Sequence, residues 1–166
     1  MQRYIKMRTK QNNSHFFLYY SRFAVPLHPQ NVIRMKDICC IGHVTKDKIV
    51  TPSSTVYMAG GTSFYFAYAI NQLPKDVNFS LITAMDPTEK EPVEKMLKAG
   101  IDVTLNPSRN TVFFENIYGD NPNDRKQRVL AKADPFPIRQ LEHVEAKVYH
   151  LGGLLSDDFS PEVVEF

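Results

Sequence analysis

Cysteine is nearly absent: the 166 residues contain two, Cys39 and Cys40, side by side in an apolar run. No spaced Cys/His set accompanies them, so the sequence offers no zinc or other metal site. The pair reads as small apolar packing in a reducing, cytoplasmic compartment. No apolar run approaches the roughly 20 residues that span a bilayer, so a membrane is not a partner. No Gly-x-x-x-x-Gly-Lys-Ser/Thr loop occurs, which removes a Walker-type nucleotide site. No Gly-x-Gly-x-x-Gly follows the first strand-like run, which makes a nicotinamide-dependent dehydrogenase remote. No repeat or low-complexity segment is present.

Acid is missing from one end only. Residues 1–36 carry seven Lys and Arg and no Asp or Glu, leaving 13 basic and 18 acidic groups for the other 130. Such a leader fits an organelle transit segment, an arm for nucleic acid or a membrane surface, or a stretch translated ahead of a natural start at Met35. The third is favoured. Met35 stands two residues before the first convincing strand, and the leader sustains no period of 2 or 3.6. Residues 1–36 are therefore expected to be disordered or to lie upstream of the natural start. A nucleic-acid partner would rest on this leader alone, and the acidic body argues against it.

What remains has the size of one domain. With 43% hydrophobic and 23% charged residues, the chain can build a single core. Asp37–Ile41 reads as a buried parallel strand, Phe79–Ala84 as a second, Ile101–Leu105 as a third and Val148–Leu151 as a further one. Between them, Thr62–Leu73 has helical spacing ended by Pro74, and Asp86-Pro87-Thr88-Glu89 caps a helix running to Gly100. Pro92 would remove a hydrogen bond one turn in, which is consistent with the regular helix beginning there. Ile138–Val144 and the segment from Ser160 read as short helices. Two β-hairpins project from this α/β pattern: Lys48–Thr51 with Thr55–Met58, and Thr111–Tyr118 with Arg125–Ala131.

Chemistry concentrates near the first hairpin. Gly60-Gly61 opens the helix, where absent Cβ atoms let backbone N–H groups approach a ligand. Asp47, just past the first strand, supplies a carboxylate able to accept hydrogen bonds from hydroxyl groups. The two together suggest a polyhydroxylated small molecule. A plain strand-to-helix turn and a solvated strand-end charge are the bland alternatives. Gly152-Gly153 either borders the same pocket or makes a tight turn. His43 and His150 have no Ser or Cys partner at a recognisable spacing and receive no catalytic role. Asp157-Asp158 reads as a solvated helix start.

Gly42-His-Val-Thr-Lys-Asp47, Gly60-Gly61, Ala84-Met85-Asp86 and Lys98-Ala-Gly-Ile-Asp-Val103 stand in an order and spacing that resembles the amino-terminal half of the PfkB (ribokinase-like) family of carbohydrate kinases. The resemblance covers residues 37–166. It implies a mostly parallel sheet flanked by helices, with a projecting β-hairpin lid. It also implies that Asp47 holds substrate hydroxyls beside Gly60 and Gly61, with Tyr65 where the family keeps an asparagine. Tyr65 would narrow the pocket or stack on a ring-shaped ligand.

Family members transfer a phosphoryl group from ATP with Mg²⁺, using the aspartate of a Gly-Ala-Gly-Asp turn as base. That turn is absent from these 166 residues. The resemblance therefore implies a substrate-binding half with no catalytic residue of its own, inactive by itself. Its implied partners are a sugar or nucleoside and a second copy through the lid strands. The alternative is a non-catalytic module that binds a small polyol or assembles with another chain.

Overall fold

The computed structural model describes residues 17–20, 23–26, 35–73, 77–121 and 123–165. The chain divides into two compact units, Met1–Arg34 and Met35–Phe166. In the first, β1 (Phe17–Tyr20) and β2 (Phe23–Pro26) pair as an antiparallel ribbon. That ribbon was not anticipated from the aperiodic leader; the other residues before Met35, on which the expectation of disorder falls, lie outside the described ones.

The second unit opens with β3 (Lys36–Ile41), β4 (Thr45–Val50), β5 (Thr55–Gly60) and helix α1 (Thr62–Ile70). Then come β6 (Phe79–Met85), a turn of 3-10 helix at Pro87–Glu89, α2 (Glu91–Lys98), β7 (Val103–Pro107), β8 (Phe113–Tyr118) and β9 (Arg125–Ala131). A further 3-10 turn, β10 (Ala146–Leu151) and α3 (Pro161–Glu165) complete it. The core sheet has the order β10-β3-β6-β7, and every neighbouring pair in it is parallel. The chain is thus α/β, as the alternating strand and helix signals imply.

Hydrophobic runs explain the layering. Cys39, Ile41, Ile82 and Ala84 point to one face and pack with Phe136, Leu141 and Val163. Cys40 and Leu81 point to the other, against Ala67 of α1 and Met96 of α2. Successive strand residues alternate faces, so the two cysteines serve opposite layers. Burial pushes the Cys40 thiol up to about 11 and raises that of Cys39 too, so both remain protonated packing groups. Each fully buried side chain such as Leu81 contributes roughly 1.5–3 kcal/mol.

The helix expected from Asp86 is divided in two. Asp86 Oδ1 accepts from the Thr88 amide at 2.8 Å and caps the 3-10 turn. The regular helix α2 begins at Glu91 and carries Pro92 in its first turn, where no amide is needed. The segment expected to be a helix over 138–144 is shorter, a 3-10 turn at Ile138–Gln140.

The two hairpins join into one lid sheet of order β5-β4-β8-β9, with β4 and β8 parallel at its centre. Glu115, nearly buried on β8, ties the strands together by pairing with Lys48 at 2.8 Å and with Arg128. Among the described residues, no helix is long and apolar enough to cross a membrane.

Candidate functional site

The site forms where the chain leaves the core sheet for the lid and returns. Beyond β3, residues 42–44 are buried, and the Val44 amide donates to Thr83 Oγ1 at 2.8 Å. This anchors the first residues of β4. Thr45 lies opposite Gly60 and Asp47 opposite Met58, so Asp47 is brought beside the end of β5. Thr45 Oγ1 donates to Asp47 Oδ1 at 2.8 Å and orients the carboxylate. Burial raises the Asp47 carboxyl above its ordinary value, against the opposing pull of the Thr45 hydroxyl and the Arg125 charge.

Both glycines are structurally required. A Cβ on Gly60 would overlap Asp47 Oδ2 and stand 2.9 Å from its Cγ. Gly61 sits at φ +96°, and a Cβ there would be 2.6 Å from the His43 carbonyl oxygen. A side chain is strained at such a φ, and Gly61 also serves as the residue capping α1. Asp47, Gly60 and Gly61 therefore come together, as the sequence led us to expect. Tyr65 lies one turn further on: its amide donates to the Gly61 carbonyl at 3.3 Å. Its ring is 55% exposed and meets Phe64 edge-on at 5.4 Å.

Asn116 joins this set without having been singled out from the sequence. Asp47 pairs with Phe114, and Ile49 with Asn116, in the parallel β4–β8 ladder. Residues two apart share a face, so Asp47 and Asn116 lie on the same side of the lid. Asn116 is 3% exposed and its Oδ1 has no hydrogen-bond partner among the described residues. A buried amide oxygen without a donor is unusual enough to suggest one is supplied from elsewhere. Its phase with Phe114 in the run Val112–Tyr118 is the sequence signal that would have found it.

On the reverse side of the lid, Lys46 pairs with Glu89 and lies 5.4 Å from the Phe113 ring centre. A cleft of about 600 Å³ opens between the β4–β5 hairpin and the two helices, lined by Lys46, Tyr57, Phe64, Tyr68, Glu89 and Lys95 among others.

Gly152 borders the base of α1 rather than open space. It is buried, its carbonyl accepts from Thr62 Oγ1 at 3.2 Å, and a Cβ on it would overlap Ser63 Oγ. The expectation for Asp158 is overturned. Only Asp157 is solvated, pairing with Lys132 at 2.9 Å, whereas Asp158 is 4% exposed and faces His43. Two backbone amides, of Leu154 and Leu155, satisfy its Oδ2 and draw it inward.

Among the described residues, no group of three or more His, Cys, Asp or Glu side chains is placed to hold a metal ion.

A parallel core sheet with flanking helices, a four-stranded lid and a polar site at their junction define the ribokinase fold. No protein-family profile matches the chain, and no curated protein does either. Solved structures do match. A pyrophosphate-dependent kinase of the ribokinase family, complexed with a pyrophosphate analogue and myo-inositol, is 25% identical, with a TM-score of 0.65 over 77% of this chain and 44% of its own. A pyrophosphate-dependent myo-inositol-1 kinase converted into a myo-inositol-3 kinase is 21% identical, with a TM-score of 0.64 over 77% and 42%. Ribokinase from Cryptococcus neoformans var. grubii in complex with ADP is 14% identical, with a TM-score of 0.52 over 70% and 40%. The chain thus spans less than half the length of these structures, and it has the fold of their matching part.

Proposed function

We propose that this chain is the acceptor-binding part of a kinase that phosphorylates a hydroxyl of a small cyclic polyol, a sugar or a nucleoside. The observation that carries the reading is the Asp47 carboxylate, oriented by Thr45 and laid against Gly60 at the mouth of the lid. A carboxylate with one lobe held and the other toward a side-chain-free turn is suited to accept hydrogen bonds from vicinal hydroxyls. Asn116 adds a neutral acceptor on the same face of the lid, and Tyr65 a ring at the helix start.

The donor is ATP with Mg²⁺ by family resemblance. Pyrophosphate is the other candidate, because two of the matched structures are pyrophosphate-dependent. The base that takes the acceptor proton lies outside these residues, so the chain alone binds without turning over. A second copy would add to the lid through the edge strands β5 and β9. The alternative reading is a non-catalytic module that binds a small polyol or assembles with another chain.

Calorimetric titration of the chain with myo-inositol, ribose and inosine tests the reading. Saturable binding of at least one, weakened by Asp47→Asn, is the expected result. Equal affinity in the variant would sink it. Phosphoryl transfer from ATP or pyrophosphate by the chain alone would contradict the split between binding and catalysis.

A further inference from the structure

His43 is fully buried at the point where the chain passes from β3 to β4. Its Nδ1 lies 3.1 Å from the Ala84 carbonyl oxygen. A carbonyl only accepts, so Nδ1 carries a proton. On the other side of the ring, Nε2 has no hydrogen-bond partner among the described residues and faces Asp158 Oδ1 at 3.5 Å, an ion-pair distance, with Asp158 itself 4% exposed. Asp158 Oδ2 already accepts from the Leu154 and Leu155 amides, which leaves Oδ1 for the ring. A bare Nε2 would set a lone pair against a carboxylate oxygen in a dry interior, which is repulsive. One more proton turns the same geometry attractive.

The surroundings offer that proton no better holder. β6 presents the Thr83 hydroxyl, engaged with the Val44 amide, and the Ala84 carbonyl. The segment before the second 3-10 turn presents Phe136, stacked on the imidazole at 4.6 Å. Asp157, next to Asp158, turns outward to Lys132. The charged group that meets the ring is therefore Asp158.

We infer that His43 and Asp158 share a buried proton, and that this pair pins the hinge between the core sheet and the lid. The pin joins three segments: residues 42–44, the end of β6 and the 154–158 turn. It lies four residues before Asp47, and the His43 carbonyl is the group that forbids a Cβ at Gly61. Burial pushes the Asp158 carboxyl up, but the facing His43 ring and the hydrogen bonds from the two amides outweigh it, and the net lies below the ordinary value. That direction agrees with an ionised partner for the ring. The pair stands whether or not the polyol reading does; its effect on Asp47 rests on that reading.

The test is a nitrogen-resolved NMR spectrum of the His43 ring in the full chain at pH 7, together with backbone hydrogen exchange. Protonated signals from both ring nitrogens are expected, and in Asp158→Asn the Nε2 signal should move to the bare-nitrogen range. Exchange across Thr45–Val50 should then quicken by about tenfold, while Asp157→Asn leaves spectrum and exchange as in the parent. A bare Nε2 in the parent chain overturns the shared proton, even if Asp158→Asn fails to fold. Unchanged exchange in a folded Asp158→Asn overturns the pin.

Discussion

Gly60 and the Asp47 carboxylate occupy adjoining space: a methyl group on the glycine would overlap Oδ2. The strand end and the carboxylate are fitted to each other, and neither can change size independently.

Gly60→Ala is therefore expected to lower stability by about 1–3 kcal/mol, the usual cost of overpacking a close contact. Gly119→Ala serves as the comparison, because a Cβ at Gly119 has no atom within 4 Å. Denaturant melts of the two should differ by most of that amount. Equal midpoints would show that Asp47 moves aside freely.

The Asp47 carboxyl is raised by burial, and the sign of its effect on stability follows. The folded chain holds the proton to higher pH than the unfolded chain, so ionised Asp47 costs stability above the unfolded carboxylate value of about 3.9. Asp47→Asn removes that cost. The variant should melt higher than the parent at pH 7, with the gap closing as pH falls below about 4. A variant that gains stability while losing polyol affinity separates binding from folding at this position; a lower melting point at pH 7 would contradict the sign.

Asn116→Ala should weaken polyol binding by roughly tenfold, about 1.4 kcal/mol, as expected for one lost hydrogen bond. Its stability loss should be smaller than that of Phe114→Ala, since the amide oxygen has no partner to lose among the described residues. Titration calorimetry with myo-inositol reads the first effect and thermal melts the second. Unaltered affinity would remove Asn116 from the site.

β10 lies at the edge of the core sheet, with Val148 54% and Tyr149 38% exposed. An apolar strand edge templates pairing with another chain. The isolated chain should self-associate as concentration rises, and Val148→Lys should reduce it. Sedimentation velocity on both proteins decides the matter; a parent that stays monomeric at high concentration counts against it.

Much of the fold was legible because local signals agreed with tertiary need. Cys39 and Cys40 lie in a short apolar run, and such runs bury on both faces in parallel sheets. Gly100 marks the end of α2 from local chemistry alone, whereas α1 stops at Ile70, short of the Leu73 expected. The Asp47 and Gly60-Gly61 association was legible from spacing, since a hairpin of that length returns Gly60 to Thr45. Asp158 was not legible. Its burial depends on His43, more than 110 residues away in sequence, and on amides turned inward by a loop with no periodic pattern. The union of the two hairpins into one sheet was equally hidden, because parallel pairing of β4 with β8 leaves no mark in either strand.

That pairing has a kinetic side. Lys48 and Glu115 are 67 residues apart in the chain, with all of α1, β6, α2 and β7 between them. Contacts of such separation incur loop-closure entropy first and reward it afterwards. Each hairpin can zip by itself within microseconds, whereas joining the two closes a loop that holds all the intervening elements. Joining the two hairpins is thus the costliest loop closure in the lid, set by topology rather than by the strength of any single contact across it.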